Sequence, residues 1–116
     1  MITLANNYRY SDYSLEQLRQ EIGKLKEKAQ RAEQLGNISE VAVNERKMQV
    51  ALAYTLNPED FNEQETYELK NDPGFTFKIN YMNGVFAWGN RINLIGELYE
   101  KEEAIPISLL GNSVNK

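Results

Sequence analysis

The stretch Phe75-Thr76-Phe77-Lys78-Ile79-Asn80-Tyr81-Met82-Asn83-Gly84-Val85-Phe86-Ala87-Trp88-Gly89 decides the fold. Phe75, Phe77, Ile79 and Tyr81 alternate with polar residues, the period of a strand with one covered face. Asn83-Gly84 reads as a two-residue type I′ hairpin turn, because both positions tolerate positive φ. Turn length sets register. With Asn83-Gly84 as the loop, Met82 faces Val85, Tyr81 faces Phe86 and Ile79 faces Trp88. Phe77, Ile79 and Phe86 are then expected in the core, with Tyr81 and Trp88 partly exposed at their polar tips. Gly89 ends the strand or bulges it.

Downstream, Asn90 to Glu103 stays open between readings. Ile95, Leu98 and Tyr99 have helical spacing, whereas Ile92 and Leu94 alternate. Lys101-Glu102-Glu103 reads as an exposed loop. Ala104 to Leu109 reads as a last strand, with Pro106 marking an edge or a bend. The tail from Gly111 to Lys116 is expected to fray. Upstream, Thr66 to Lys70 alternates as a first strand, and Asn71-Asp72-Pro73-Gly74 is a turn. About four short strands with tight turns suggest a small barrel or a strongly bent sheet.

The first half reads as helix. Ser14-Leu15-Glu16-Gln17 has the form of a capping box. Leu15, Leu18, Ile22, Leu25, Ala29, Ala32 and Leu35 follow at spacings of three and four, one stripe of a helix. Gly36 stands where a left-handed C-terminal residue is wanted. Gly23, inside the helix, is read as marking a close neighbour. A second helix opens at Ser39-Glu40 with Val41, Met48, Leu52 and Leu56, and Asn57-Pro58 closes it. A connection of three residues, Gly36-Asn37-Ile38, makes the pair an antiparallel hairpin. Residues 14–57 are thus a helical hairpin, 64–110 a small barrel and 1–13 an N-terminal arm carrying Tyr8, Tyr10 and Tyr13 as a docking segment for a partner or for the protein itself. Neither half buries enough surface to be secure alone. All 116 residues are therefore expected to form one unit, with the hairpin on the sheet and Phe61 between them. One cooperative unfolding transition follows. Truncation after Asn57 that left two independently folded pieces would refute it.

Composition narrows the chemistry. The chain has no His and no Cys. Catalytic pairs built on His and zinc sites built on thiolate or imidazole are excluded, and so is any disulfide. The N-terminus lacks a signal-peptide pattern, and no apolar run reaches the roughly 18 residues of a membrane span. A cytoplasmic protein without membrane contact is expected. The net charge is −4. It is uneven: residues 1–57 hold 8 bases and 7 acids, and residues 58–116 hold 5 bases and 10 acids. An acidic second half repels phosphate, so any nucleic acid would fall to Lys24, Lys28 and Arg31 on the first helix. Glu59, Asp60, Glu63 and Glu65 form one acidic cluster, and Glu97, Glu100, Glu102 and Glu103 a second. Both are read as solvated loops rather than metal sites. No cofactor is expected.

The leading expectation is a non-enzymatic interaction module that binds a protein partner or itself, a dimer included, through Tyr81, Asn83 and Trp88 or through the hairpin. The alternative is a nucleic-acid-binding regulator using Lys24, Lys28 and Arg31. A third reading is a carboxylate-dependent binder of a metal or small molecule.

Several strings in this chain resemble one family. They are Lys28-Ala29-Gln30-Arg31-Ala32-Glu33-Gln34-Leu35-Gly36, Ala53-Tyr54-Thr55-Leu56-Asn57-Pro58-Glu59-Asp60, Glu65-Thr66-Tyr67, Asn83 to Gly89, and Ala104 to Leu110. Together they resemble the YfhH family of small bacterial proteins, from about Ser14 to Leu110. The resemblance implies an α+β fold, a helical hairpin joined to an SH3-like barrel. It implies little about activity beyond a loose label of transcriptional regulator, and it carries over no catalytic residues. Asn90 to Lys101 is less polar than the loop the family implies there.

Overall fold

A computed structural model describes residues 10–114. Tyr8, and the arm before Tyr10, lie outside the described residues. The fold is α+β: two helices followed by a five-stranded antiparallel sheet. Its contacts divide into two compact units, residues 1–55 and 56–116, described in turn.

In the first unit, α1 spans Leu15–Gln34 and α2 spans Ile38–Ala53. Ser14 and Gln17 form the expected capping box: the Gln17 N–H donates to Ser14 Oγ at 3.1 Å, and the Ser14 N–H donates to Gln17 Oε1 at 2.9 Å. Gly36 has φ +76°. Its N–H donates to the Glu33 carbonyl and the Asn37 N–H to the Ala32 carbonyl, the two bonds of a Schellman ending. Asn37 also caps α2, its side chain accepting from the Glu40 N–H at 3.1 Å. One residue thus closes one helix and opens the next, which is why the connection can be so short. Leu18, Leu25, Ala29 and Ala32 are buried along α1, whereas Leu15 and Leu35, at the ends of the stripe, are exposed.

Two expectations for this unit change. Gly23 has no close neighbour; a methyl there would meet nothing within 4 Å. The second helix ends at Ala53, not at Asn57. The Thr55 hydroxyl and N–H both donate to the Leu52 carbonyl, a local bond that competes with helix propagation. Asn57 instead caps the 3₁₀ turn Pro58–Asp60, accepting from the Glu59 N–H. Of the two expectations for the N-terminal tyrosines, Tyr10 follows the second. It is buried with Leu18 and Ala51, packs edge-on against Tyr13 and Tyr54, and donates its hydroxyl to Glu21 at 2.9 Å. That segment docks on the protein itself.

The second unit holds β1 (Thr66–Leu69), β2 (Phe75–Asn83), β3 (Phe86–Asn93), β4 (Glu103–Pro106) and β5 (Leu110–Ser113). Their order is β4-β3-β2-β1-β5, an open sheet. Gly111 to Ser113, in the tail expected to fray, is strand: Leu110 and Ser113 pair with Leu69 and Tyr67 of β1. Ile107–Leu109 is a 3₁₀ turn rather than strand.

The hairpin turn sits one residue later than expected, so each cross-strand partner beside it changes by two. Asn83 pairs with Phe86, Met82 with Ala87 and Tyr81 with Trp88. The loop is Gly84-Val85. Only Gly84 has positive φ, +62°, the requirement of a type II′ turn with Gly first. A change of two keeps the faces, but a bulge in β2 between Ile79 and Tyr81 takes up one of the two, so that Ile79 pairs with Gly89 rather than Trp88, and the extra residue reverses which β2 side chains face inward on its turn side. Phe77 and Ile79 remain buried as expected, but Tyr81 turns outward and Phe86 is only half-buried. Val85 and Ala87 take the inward places, with Tyr67, Leu69, Ile105, Ile107 and Leu110. Phe61 lays its ring on Tyr67, centroids 5.5 Å apart.

Candidate functional site

The residues expected to touch a partner lie together at the β2–β3 turn. Register places Tyr81 opposite Trp88, and their rings stack at 5.9 Å with 4° between planes. Tyr81 is 42% exposed. Asn83 is exposed beside Gly84 at the turn. The backbone under the pair is held from β1's side: the Met82 N–H donates to Glu63 Oε2 at 3.2 Å, and Gln64 Nε2 donates to the Asn80 carbonyl at 3.2 Å. Gln64 is left-handed, φ 71°, where the chain wraps the bulge. The result is a stacked aromatic pair, partly exposed, on a backbone tied to Glu63 and Gln64.

Lys24, Lys28 and Arg31 are exposed on α1 at spacings of four and three, hence on one face. Lys28 and Arg31 border a shallow cleft of about 360 Å³ that also includes Asn37, Glu40 and the buried Asn44. Asn44 spends one amide hydrogen on the Glu40 carbonyl.

The carboxylates of the two acidic clusters mostly have structural partners. Glu65 accepts from the Tyr67 hydroxyl and from Asn62. The Tyr67 oxygen in turn accepts from the Asn62 N–H at 2.8 Å. Burial, more than the Glu65 carboxylate, pushes the Tyr67 hydroxyl above its ordinary range. Glu103 and Asp72 clasp Arg91 at 2.7 and 2.8 Å, with the guanidinium over the Phe75 ring. The Glu103 hydrogen bond, ahead of the opposing effect of burial, holds Arg91 more firmly charged than usual. Glu102 accepts from Asn80, which also donates to Asn90. Among the described residues, no three carboxylates gather as a metal ion requires.

Sequence reasoning missed one surface. β3 turns at Asn93-Leu94-Ile95-Gly96, and Leu94 and Ile95 are 81% and 79% exposed. The turn is well held. Asn93 Oδ1 accepts from the N–H groups of Ile95 and Glu97, its N–H donates to the Glu97 carbonyl, and Gly96 stands at φ +89°. The signal was Asn and Gly three apart, the ends of a type I turn. The β3–β4 loop that follows is anchored by Asn90, which donates to the Tyr99 and Glu100 carbonyls.

No helix among the described residues is long and apolar enough to cross a membrane. Comparison with known proteins gives a family and no activity. The family described as "Protein of unknown function (DUF1811)" matches residues 8–111. A protein of Bacillus subtilis (strain 168), "Uncharacterized protein YfhH", is 50% identical over 102 residues, which is 88% of this chain and 93% of the relative.

Proposed function

From the premise that this chain belongs to the DUF1811 family, we propose that it is a non-enzymatic interaction module, regulatory in role, that binds a protein partner or a second copy through Tyr81, Asn83 and Trp88. The observation that carries the reading is the stacked, half-open Tyr81–Trp88 pair on a backbone held by Glu63 and Gln64. Tyr and Trp dominate interface energetics because they bury much area while losing little side-chain freedom. The order β4-β3-β2-β1-β5, with a 3₁₀ turn between β4 and β5, supports an SH3-like barrel as the scaffold. The cysteine-free composition supports work in the cytoplasm.

The test is capture from native lysate on the tagged chain, with and without nuclease, beside a Tyr81→Ala bait. A protein retained in both nuclease arms and lost on the variant supports the module. Capture that vanishes with nuclease, and falls steeply with salt, replaces it with the second reading. That reading is a nucleic-acid-binding regulator on the common face of Lys24, Lys28 and Arg31. Equal capture on both baits, or none with no self-association, overturns the proposed surface.

A further inference from the structure

We propose that Asn83 is a site of spontaneous covalent modification, at which the Gly84 nitrogen closes a ring on the Asn83 side chain and the turn passes to isoaspartate and aspartate. The inference stands apart from the interaction-module reading, since it needs no partner. Asn83 is the one asparagine of the chain that glycine follows. Glycine puts no side chain beside the attacking nitrogen. Both residues are exposed, and nothing lies within 4 Å of the place where a side chain on Gly84 would stand. Among the described residues, the Gly84 N–H donates no hydrogen bond and the Asn83 side chain has no hydrogen-bond partner.

The other asparagines are held back in ways the structure shows. Asn37, Asn57 and Asn93 spend their side-chain oxygens on backbone N–H groups. Asn80 and Asn90 donate from their side-chain amides. Proline follows Asn57, and its nitrogen has no hydrogen to lose. Asn71 and Asn112 are exposed, but Asp72 and Ser113 follow them and carry side chains beside the nitrogen that would attack.

The reaction needs no reagent other than water. Solvent base takes the Gly84 N–H proton, and the nitrogen attacks the Asn83 side-chain carbonyl carbon. A C–N bond forms there, the bond to the amide NH₂ breaks, and ammonia leaves with a proton returned from solvent. The product is a five-membered succinimide, favoured because both groups belong to one chain. Water then opens the ring. Opening at the side-chain carbonyl gives aspartate. Opening at the main-chain carbonyl gives isoaspartate, whose backbone runs through Cβ and is one atom longer. Asn83 pairs with Phe86 at the end of the hairpin, so the added atom breaks the ladder beside the stacked Tyr81 and Trp88. Either product also sets a carboxylate, ionised at neutral pH, one residue from the Met82 N–H that donates to Glu63. The turn therefore has a built-in lifetime.

The full chain, held for weeks at body temperature and mildly alkaline pH and then digested with trypsin, tests this. Cleavage after Lys78 and Arg91 releases a peptide of residues 79–91. Mass spectrometry with electron-transfer fragmentation reads which asparagine has changed and separates isoaspartate from aspartate. Isoaspartate is expected at Asn83, accumulating about tenfold faster than at any other asparagine, the effect of a barrier lower by about 1.4 kcal/mol. The emission of Trp88, the only tryptophan, changes in step. Asn83→Gln, which can close only a larger ring, keeps its peptide and its emission. No change at Asn83, change no faster there than elsewhere, aspartate without isoaspartate, or constant Trp88 emission overturns the proposal. So does a rate that climbs steeply with urea below the unfolding midpoint, because the reaction then belongs to the unfolded chain.

Discussion

Gly23 in α1 and Gly89 in β3 are the same residue in opposite surroundings. A methyl added to Gly23 points into open space. One added to Gly89 would strike the Lys78 carbonyl of the neighbouring strand, with the Lys78 carbonyl carbon 2.9 Å and Phe77 Cε2 3.0 Å away. The helical unit is held by side chains along a stripe and by caps, so a backbone position between them is tolerant. The sheet unit is held by backbone brought against backbone, with the β2 bulge pressing on Gly89, so position matters to a fraction of an ångström. The contrast has a graded set of consequences.

Gly89→Ala is the most damaging. Either β2 or β3 must shift, and Phe77 and Ile79, both fully buried, shift with it. A loss of about 3 kcal/mol is expected in urea denaturation. A loss below about 1 kcal/mol would mean the sheet yields as readily as the helices. Asn90→Ala comes next. Asn90 is buried and ties the Tyr99 and Glu100 carbonyls and Asn80 together. Leaving those groups without a partner costs about 2 kcal/mol, with faster amide exchange in the β3–β4 loop as a second readout.

In the helical unit the effects are smaller and of both signs. Ser14→Ala removes the acceptor of the Gln17 N–H and costs about 1 kcal/mol. Gly23→Ala removes backbone freedom from the unfolded chain without a clash, and gains about 0.8 kcal/mol. If thermal denaturation showed Gly23→Ala destabilising, an unseen neighbour would lie against that face, and the contrast between the two glycines would fail.

The same contrast explains what could be read from sequence. Helix signals are local. Ser14 with Gln17, the three-four spacing from Leu18 to Ala32, and Gly36 each act within a turn or two, and each stands where the spacing predicts. Sheet signals are non-local. Asn83-Gly84 marks the hairpin, but whether the loop is Asn83-Gly84 or Gly84-Val85 depends on the bulge at Asn80, set by β1 and by Gly89. The extra residue of the bulge sends Tyr81 outward and leaves Ala87 rather than Phe86 in the core. β5 was hidden for the same reason. Gly111-Asn112-Ser113 has no strand propensity and is a strand because β1 offers it an edge; a side chain at Gly111 would crowd Glu68. Tyr81 and Trp88 were each legible as partly exposed from their polar tips, but not as a pair, because the expected register set Tyr81 against Phe86 and Trp88 against Ile79. Leu94 and Ile95 were not, because an apolar pair in a turn reads like the end of a helix or strand.

The least disruptive probe of the sheet's precision is pH. The Tyr67 hydroxyl accepts from the Asn62 N–H and donates to Glu65, and burial first, then the Glu65 carboxylate, raises its pKa above the ordinary 10.0. A phenol whose proton is held more tightly in the folded state contributes its full stability while pH stays below the unfolded value. Above about pH 10 the unfolded chain releases that proton first, so folding loses stability as pH rises through the folded value. The wild-type denaturation midpoint should therefore fall more between about pH 9 and pH 12 than that of Tyr67→Phe. The variant starts lower, having left the Asn62 N–H without its acceptor, so the slopes and not the absolute midpoints carry the comparison. Parallel slopes would mean that Tyr67 ionises as freely in the sheet as in water, and that the Phe61–Tyr67 corner is as open as the helix face around Gly23.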